Sequence, residues 1–276
     1  MIKNWVITGD THGRVHGRVV EVANKYPDYK PEETAIIILG DVGLNYYLSR
    51  TEKKNKKIIN ESGYTLYCVR GNHERRPEDV PGIVSIYDSE VKNSLWIEED
   101  FPNIKYLKDG YEYFMNGYSC LVIGGAYSID KWYRLQQAAA RGESFSGWFE
   151  NEQLDEEERE AILEDVWNCD YDFVFTHTAP ISWEPTDLFL SFVDQSTVDK
   201  TTEYFLESVK EILGSWGIWC FGHYHADRIE APCVEQFYYH SDTLDELWNR
   251  WYGKPGELSF ELDSPLILSK EEKEND

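Results

Sequence analysis

The chain has 276 residues and a formal net charge of −24, from 27 basic against 51 acidic side chains. Hydrophobic residues make up 41%, including 10 Trp, 19 Tyr and 12 Phe, which is enough for a sizeable core and excludes a disordered chain. So acidic a surface repels long nucleic acids, whose phosphates dominate their binding, but it is compatible with a small phosphorylated substrate held by cations.

The N-terminal MIKNWVITGD runs straight into a strand, which leaves no room for a signal peptide, and no apolar run reaches membrane-spanning length. Apolar runs of strand length follow at 5–8, 35–39, 65–69, 120–123, 172–176 and 218–221, each closed by Gly or by Thr with Gly or His after it. Helix-like stretches at 50–61, 152–167 and 201–213 lie between several of them, so the pattern is α/β with largely parallel pairing. The segments 104–107, 111–114 and 118–123, split by KDG and NG turns, read as an antiparallel meander, which makes the sheet system mixed. DEEERE at 155–160 and KKNKK at 53–57 read as solvated helix faces. The five cysteines are odd in number, widely spaced and without a CxxC, as expected of reduced thiols in a reducing cytoplasm.

Five of the seven histidines follow a strand-like run by one to four residues. With the carboxylates and amide of the same turns, the set is Asp10, His12, Asp41, Asn72, His177, His223 and His225. In an open α/β sheet, ligands bind outside the carboxyl ends of the strands, so five turns deliver these groups to one edge. If the chain stays extended through GHYH, the side chains of His223 and His225 point the same way. Glycines before Asp10, Asp41, Asn72 and His223 supply tight turns. Nitrogen and oxygen donors without thiolate suit Mn, Fe, Zn or Ni. Asp41 is the candidate bridge between two divalent ions roughly 3.5–4 Å apart, an arrangement that clamps a phosphoryl oxygen and lowers the pKa of a bridging water for in-line attack.

GDTHG at 9–13, GDVG at 40–43, GNHE at 71–74, His177 in FTHTAP and GHYH at 222–225 together resemble the calcineurin-like metallophosphoesterase superfamily. The resemblance implies a four-layer αββα sandwich of two mixed β-sheets flanked by helices. It implies one metal held by Asp10, His12, Asp41 and His225, and another by Asp41, Asn72, His177 and His223. His73 matches a position that is not a ligand but stabilises or protonates the leaving oxygen. On this reading residues 1–276 form a single domain, with a motif core at 1–230 and an extension at 231–276 that completes or caps the sandwich.

GDVGLNYYL lacks the Asp and Arg that follow the second motif in serine/threonine phosphoprotein phosphatases, so the carboxylate partner of His73 and a phosphate-binding arginine must come from elsewhere. Arg14, Arg75, Arg76 and Arg134 are the nearby candidates, each equally a surface or ion-paired side chain. The stretch 124–148 reads either as a flap over the site, with Tyr127 and Trp132 the residues of interest, or as a packed insertion. His16 and His240 match no motif, and Glu74 reads as a contact behind the ligands. The expected activity is hydrolysis of a phosphodiester or phosphomonoester, with a small phosphorylated molecule or a phosphoprotein as substrate. The alternatives are a serine/threonine-type protein phosphatase, a mononuclear hydrolase and a non-catalytic scaffold that binds a partner. Oligomeric state is left open by the sequence.

Overall fold

The structure, a computed structural model, describes residues 1–191 and 193–253. Its strands are β1 (Asn4–Thr8), β2 (Thr34–Ile38), β3 (Thr65–Cys68), β4 (Ile83–Asp88), β5 (Asn93–Glu98), β6 (Ile104–Tyr106) and β7 (Tyr111–Met115). They continue with β8 (Tyr118–Ile123), β9 (Asp170–Thr176), β10 (Ser215–Phe221), β11 (Arg228–Ala231), β12 (Val234–Gln236) and β13 (Ser241–Thr243). The helices are α1 (Val15–Lys25), α2 (Arg50–Glu61), α3 (Lys131–Arg141), α4 (Glu156–Asp165), α5 (Thr201–Ile212) and α6 (Leu244–Tyr252).

Two mixed sheets result, one of seven strands in the order β13-β1-β2-β3-β6-β5-β4 and one of six in the order β11-β12-β10-β9-β8-β7. Strand alternation builds the layers. Ala35, Ile37 and Leu39 face the core between the sheets, together with Phe173, Phe175, Ile218 and Cys220. Ile36 and Ile38 face the opposite way, onto Val15, Val19 and Val22 of α1 and Ile59 of α2. Val174, Trp219 and Phe221 pack outward onto Ile162 of α4 and Phe205 and Val209 of α5. Strands covered on both faces read as continuous apolar runs, which is why 35–39 and 218–221 stand out in the sequence.

The meander expectation is corrected at its first segment. β7 and β8 form the antiparallel hairpin, but β6 joins the other sheet, parallel to β3 and antiparallel to β5. Register with β3 places Ile104 and Tyr106 against the helix-side core, a pairing that no local turn signal encodes. The β4–β5 hairpin and helices α1, α3 and α6 were not legible as elements.

The two charge runs are also less solvated than expected. Lys56 is buried and reaches Asn45 and Glu98. Glu158 closes a capping box with Asp155 at the start of α4 and pairs with the buried Arg76. In the segment after residue 230, β12 pairs with β10 and β13 with β1, so it adds a strand to each sheet. The remaining 254–276 of the expected extension lie outside the described residues.

Candidate metal centre

The turns that follow β1, β2 and β3 in one sheet and β9 and β10 in the other meet at a single edge. Backbone hydrogen bonds tie them together: His12 N donates to Asp41 O at 2.7 Å, and Gly222 N donates to His177 O at 2.9 Å. Four of the residues named from the sequence occupy the left-handed region, His12 (φ 45°), Asp41 (φ 47°), His223 (φ 68°) and His225 (φ 55°). Each costs about 1–2 kcal/mol for a side chain with a Cβ, and such strain persists where the surrounding structure holds it.

The glycines act mainly through space. Gly40 has a positive φ of 95°, as a tight turn requires, but Gly71 and Gly222 do not. A Cβ on Gly71 would lie 2.1 Å from Asp41 Oδ1, and one on Gly222 would lie 2.3 Å from Asp10 Oδ1. Close approach of the carboxylates, more than turn geometry, excludes a side chain at these two positions.

His223 and His225 do not point the same way, because positive φ at both breaks the extended path. His225 meets His12, Nε2 to Nε2 at 2.8 Å, and lies 3.4 Å from Asp10 Oδ2. The ring of His223 lies 5.0 Å from that of His177. Asp41 stands between the two pairs, with Oδ2 3.8 Å from His12 Nδ1 and Oδ1 3.6 Å from His177 Nε2. Asp10 spans them as well, its Oδ1 lying 3.9 Å from His177 Nδ1.

Both carboxylates are buried, and among the described residues their ionisable partners within salt-bridge distance are histidines. Burial and the neighbouring Asp10 push the Asp41 carboxyl well above its ordinary range. Burial opposes the charge on Asp10 too, but His177, His225 and the His223 N–H outweigh it and hold its carboxyl below the ordinary value.

The hydrogen-bond directions around Asn72 test whether a cation fits. Glu152 accepts from Ser128 Oγ at 2.6 Å, so that hydroxyl is free to accept from Asn72 Nδ2 at 2.8 Å. The Asn72 oxygen is thereby turned toward His177 Nε2, 2.9 Å away. His177 Nδ1 lies 2.7 Å from Leu39 O and donates to it, because a carbonyl only accepts. Burial depresses the His177 pKa, so Nε2 presents a lone pair to an amide oxygen, acceptor to acceptor. A divalent cation sharing both lone pairs resolves that opposition. Three groups, Asp10–His12–His225, His12–Asp41–His73 and Asp10–Asp41–His177, each offer three donor atoms within 4.8 Å of one another.

His73 N donates to Asp41 Oδ1 at 2.7 Å, and its ring is held from the other side by Arg134, whose Nη2 lies 2.7 Å from Nδ1. Guanidinium only donates, so Nδ1 accepts and the proton of the neutral ring sits on Nε2. Burial and the Arg134 charge push the His73 pKa down to about 3. Arg134 is itself placed by Asp130 (Nε to Oδ2, 2.6 Å) and Gly147 O. The stretch 124–148 therefore contains α3, and one residue of that helix reaches the site.

The other sequence candidates fall as follows. Arg14 lines a cavity beside Asp10 and His12. Arg75 lies over the rings of Phe145 and Phe149, at 5.2 and 5.5 Å. Tyr127 is buried near Lys131, and Trp132 is exposed. His240 pairs with Asp242. Glu74 accepts from Gly71 N, and burial followed by the Asp41 charge raises its carboxyl to about 7. Ser128 and Glu152, which orient Asn72, carry no motif and were missed; the only sequence signal was the GGAYS strand end that places Ser128.

Two sheets packed face to face, with an Asp/His/Asn cluster at the carboxyl edge of their parallel strands, define an α/β sandwich with the donor set of a divalent-metal site. The family model for calcineurin-like phosphoesterases matches residues 4–227, and the chain belongs to that family. No individual curated protein matches the chain.

Proposed function

We propose that this chain is a dinuclear metal-dependent phosphoesterase that hydrolyses a phosphodiester or phosphomonoester. The observation that carries the reading is the split of Asp41, whose two oxygens face different histidines across the centre. Asp10, His12, Asp41 and His225 would hold one ion, and Asp41, Asn72, His177 and His223 the other. When bound, two divalent ions supply Lewis-acid stabilisation of the phosphoryl oxygens and a nucleophilic water at neutral pH.

The chain's own residues do the rest. His73 presents a neutral Nε2–H at the rim of the cluster, fixed in that tautomer by Arg134, and stabilises the leaving oxygen by hydrogen-bonding to it. The donation matters most where that oxygen is most basic. Ser128 and Glu152 hold the Asn72 oxygen inward, and the Leu39 carbonyl keeps His177 Nε2 free of a proton.

Arg134 is occupied with His73, Asp130 and Gly147 and is not free to clamp a dianion. With Arg134 so occupied, Arg14 beside Asp10 and His12, unpaired among the described residues, offers a single positive charge, which suits a singly charged diester better than a dianionic monoester. The acidic chain favours a small substrate over a long nucleic acid. Five free cysteines, three of them buried, suit a cytoplasmic setting, and among the described residues no helix is long and apolar enough to cross a membrane.

The deciding experiment compares bis-p-nitrophenyl phosphate with p-nitrophenyl phosphate, using stripped protein reconstituted with Mn²⁺, Ni²⁺, Zn²⁺ or Mg²⁺. Metal-dependent turnover with preference for the diester is the expected result. Preference for the monoester would replace the diester reading with a phosphatase one. No turnover of either ester at two bound ions per chain would sink the enzymatic reading.

A further inference from the structure

A cavity of about 370 Å³ opens beside Asp10 and His12, and its other walls include Arg14, Arg18, Tyr238 and Tyr239. That volume lies within the range of about 300–1,000 Å³ typical of small-molecule sites. The wall is continuous with the candidate metal centre, because the Tyr238 ring stacks on His225 at 4.7 Å with 20° between the planes. The Tyr239 ring lies 4.1 Å from that of Tyr238 with 54° between the planes, the Arg18 guanidinium lies 5.7 Å from its centre, and the residue is 57% exposed.

The half-buried Tyr238 and the exposed Tyr239 stand on a fixed backbone. Tyr238 N and Tyr239 N donate to the two oxygens of Asp227 at 2.7 and 3.1 Å. The Tyr238 carbonyl accepts from Nη1 of the buried Arg18 at 2.5 Å. A wall ordered in advance loses little conformational freedom when a ligand settles on it. Arg14 adds a cation: among the described residues its side chain makes no ion pair or hydrogen bond, in a chain where acidic groups outnumber basic ones by 51 to 27.

From these features we infer that the cavity is a nucleoside subsite. Tyr239, backed by Tyr238, receives the planar base of a nucleotide-type phosphodiester, and Arg14 faces its phosphate. Aromatic side chains bind bases through ring faces with little regard to sequence. The net charge of −24 disfavours a long polynucleotide, so a mononucleotide-sized ester suits the cavity best. The inference rests on the phosphoesterase reading and adds the substrate class to it.

The test uses two diesters with the same leaving group, thymidine 5′-(p-nitrophenyl phosphate) and methyl p-nitrophenyl phosphate, on the Mn²⁺-reconstituted full chain. Water adds at phosphorus as the bond to p-nitrophenolate breaks, leaving thymidine 5′-phosphate or methyl phosphate, so the two esters differ in the group that the cavity would hold. The expected kcat/KM favours the thymidine ester by about ten- to a hundredfold. In Tyr239→Ala the ratio falls toward one, and Tyr239→Phe, which keeps the ring, keeps the preference. Arg14→Gln lowers both esters together and leaves the ratio in place.

A wild-type ratio near one, or a ratio unmoved in folded Tyr239→Ala, overturns the subsite while turnover of both esters leaves the phosphoesterase reading standing. If neither ester is hydrolysed, that reading fails, and calorimetric titration with thymidine 5′-monophosphate judges the subsite alone. Saturable binding that is lost in Tyr239→Ala upholds it; no binding, or equal binding in the variant, overturns it.

Discussion

Arg134 donates from Nη2 to His73 Nδ1 over 2.7 Å, so the histidine beside the cluster is oriented by a cation. A carboxylate in that place would accept a hydrogen bond from Nδ1–H and stabilise imidazolium. A guanidinium does the reverse: it requires Nδ1 to accept, and it keeps the ring neutral with the proton on Nε2.

Removing Arg134 should therefore act on turnover and leave metal content intact. For Arg134→Ala the expected loss in kcat is about 10–100-fold, the scale seen when the partner of an active-site group is removed. Arg134→Lys should not restore it, since one ammonium cannot reproduce the fork that reaches Asp130 and His73 together. His73→Ala should lose most of kcat with a smaller deficit on esters that have good leaving groups, read as the slope of log kcat against leaving-group pKa. An equal loss across leaving groups would mean that His73 holds phosphate instead of assisting departure.

Asp41→Asn tests the bridge. Because both oxygens of Asp41 face the cluster, the neutral amide should lower the affinity for both ions and abolish turnover. The expected fall in affinity exceeds the roughly 10–100-fold cost of losing an outer partner. Elemental analysis after dialysis reads it directly, and retention of two ions per chain with activity would remove Asp41 from the bridging position.

Ser128→Ala leaves every proposed ligand in place but frees the Asn72 amide, whose Nδ2 then lacks its acceptor. The expected result is weaker binding of one ion of the two, by about 10–100-fold, with the fold and the other ion retained. Two-site calorimetric titration distinguishes this from a uniform loss, which would place Ser128 in general stability.

Glu203 on α5 provides a pH test separate from the metals. It is 4% exposed, its Oε1 accepts from Thr178 Oγ1 at 3.0 Å, and its Oε2 finds no partner among the described residues. Burial raises its carboxyl from 4.5 to about 7. The native state holds that proton more tightly than the unfolded chain does, so the contribution is full below about 4.5 and is lost as pH rises to about 7. Glu203→Gln, neutral at every pH, should match the wild type near pH 5 and be more stable at pH 8, by up to about 3 kcal/mol. Chelator-treated protein unfolded in urea at the two pH values measures it; equal slopes for the two proteins would mean that Glu203 ionises normally.

Local chemistry made the candidate donor set legible in the sequence. Asp10, Asp41, Asn72, His177, His223 and His225 each follow an apolar run closed by a turn, and the period of a buried strand and the chemistry of its turn are properties of neighbouring residues. The same locality exposed the α/β class and its mixed pairing, whereas the division into two sheets came from the family resemblance. The helices α1 and α3 were harder to read: α1 has no side-chain cap, and α3 buries only Ala138.

Only the tertiary structure decided which partners these groups meet. The hydrogen bond from Arg134 to His73 spans 61 positions and that from Asn72 to Ser128 spans 56, separations over which no pattern in the chain carries information. The sheet assignment of β6 and the opposite facing of His223 and His225 likewise follow from register and from backbone held at positive φ by surrounding strands. The sequence set the identity of the donors, because that is local. Their directions, tautomers and spacing required the packed sheets, because hydrogen-bond geometry between distant turns exists only once both are in place.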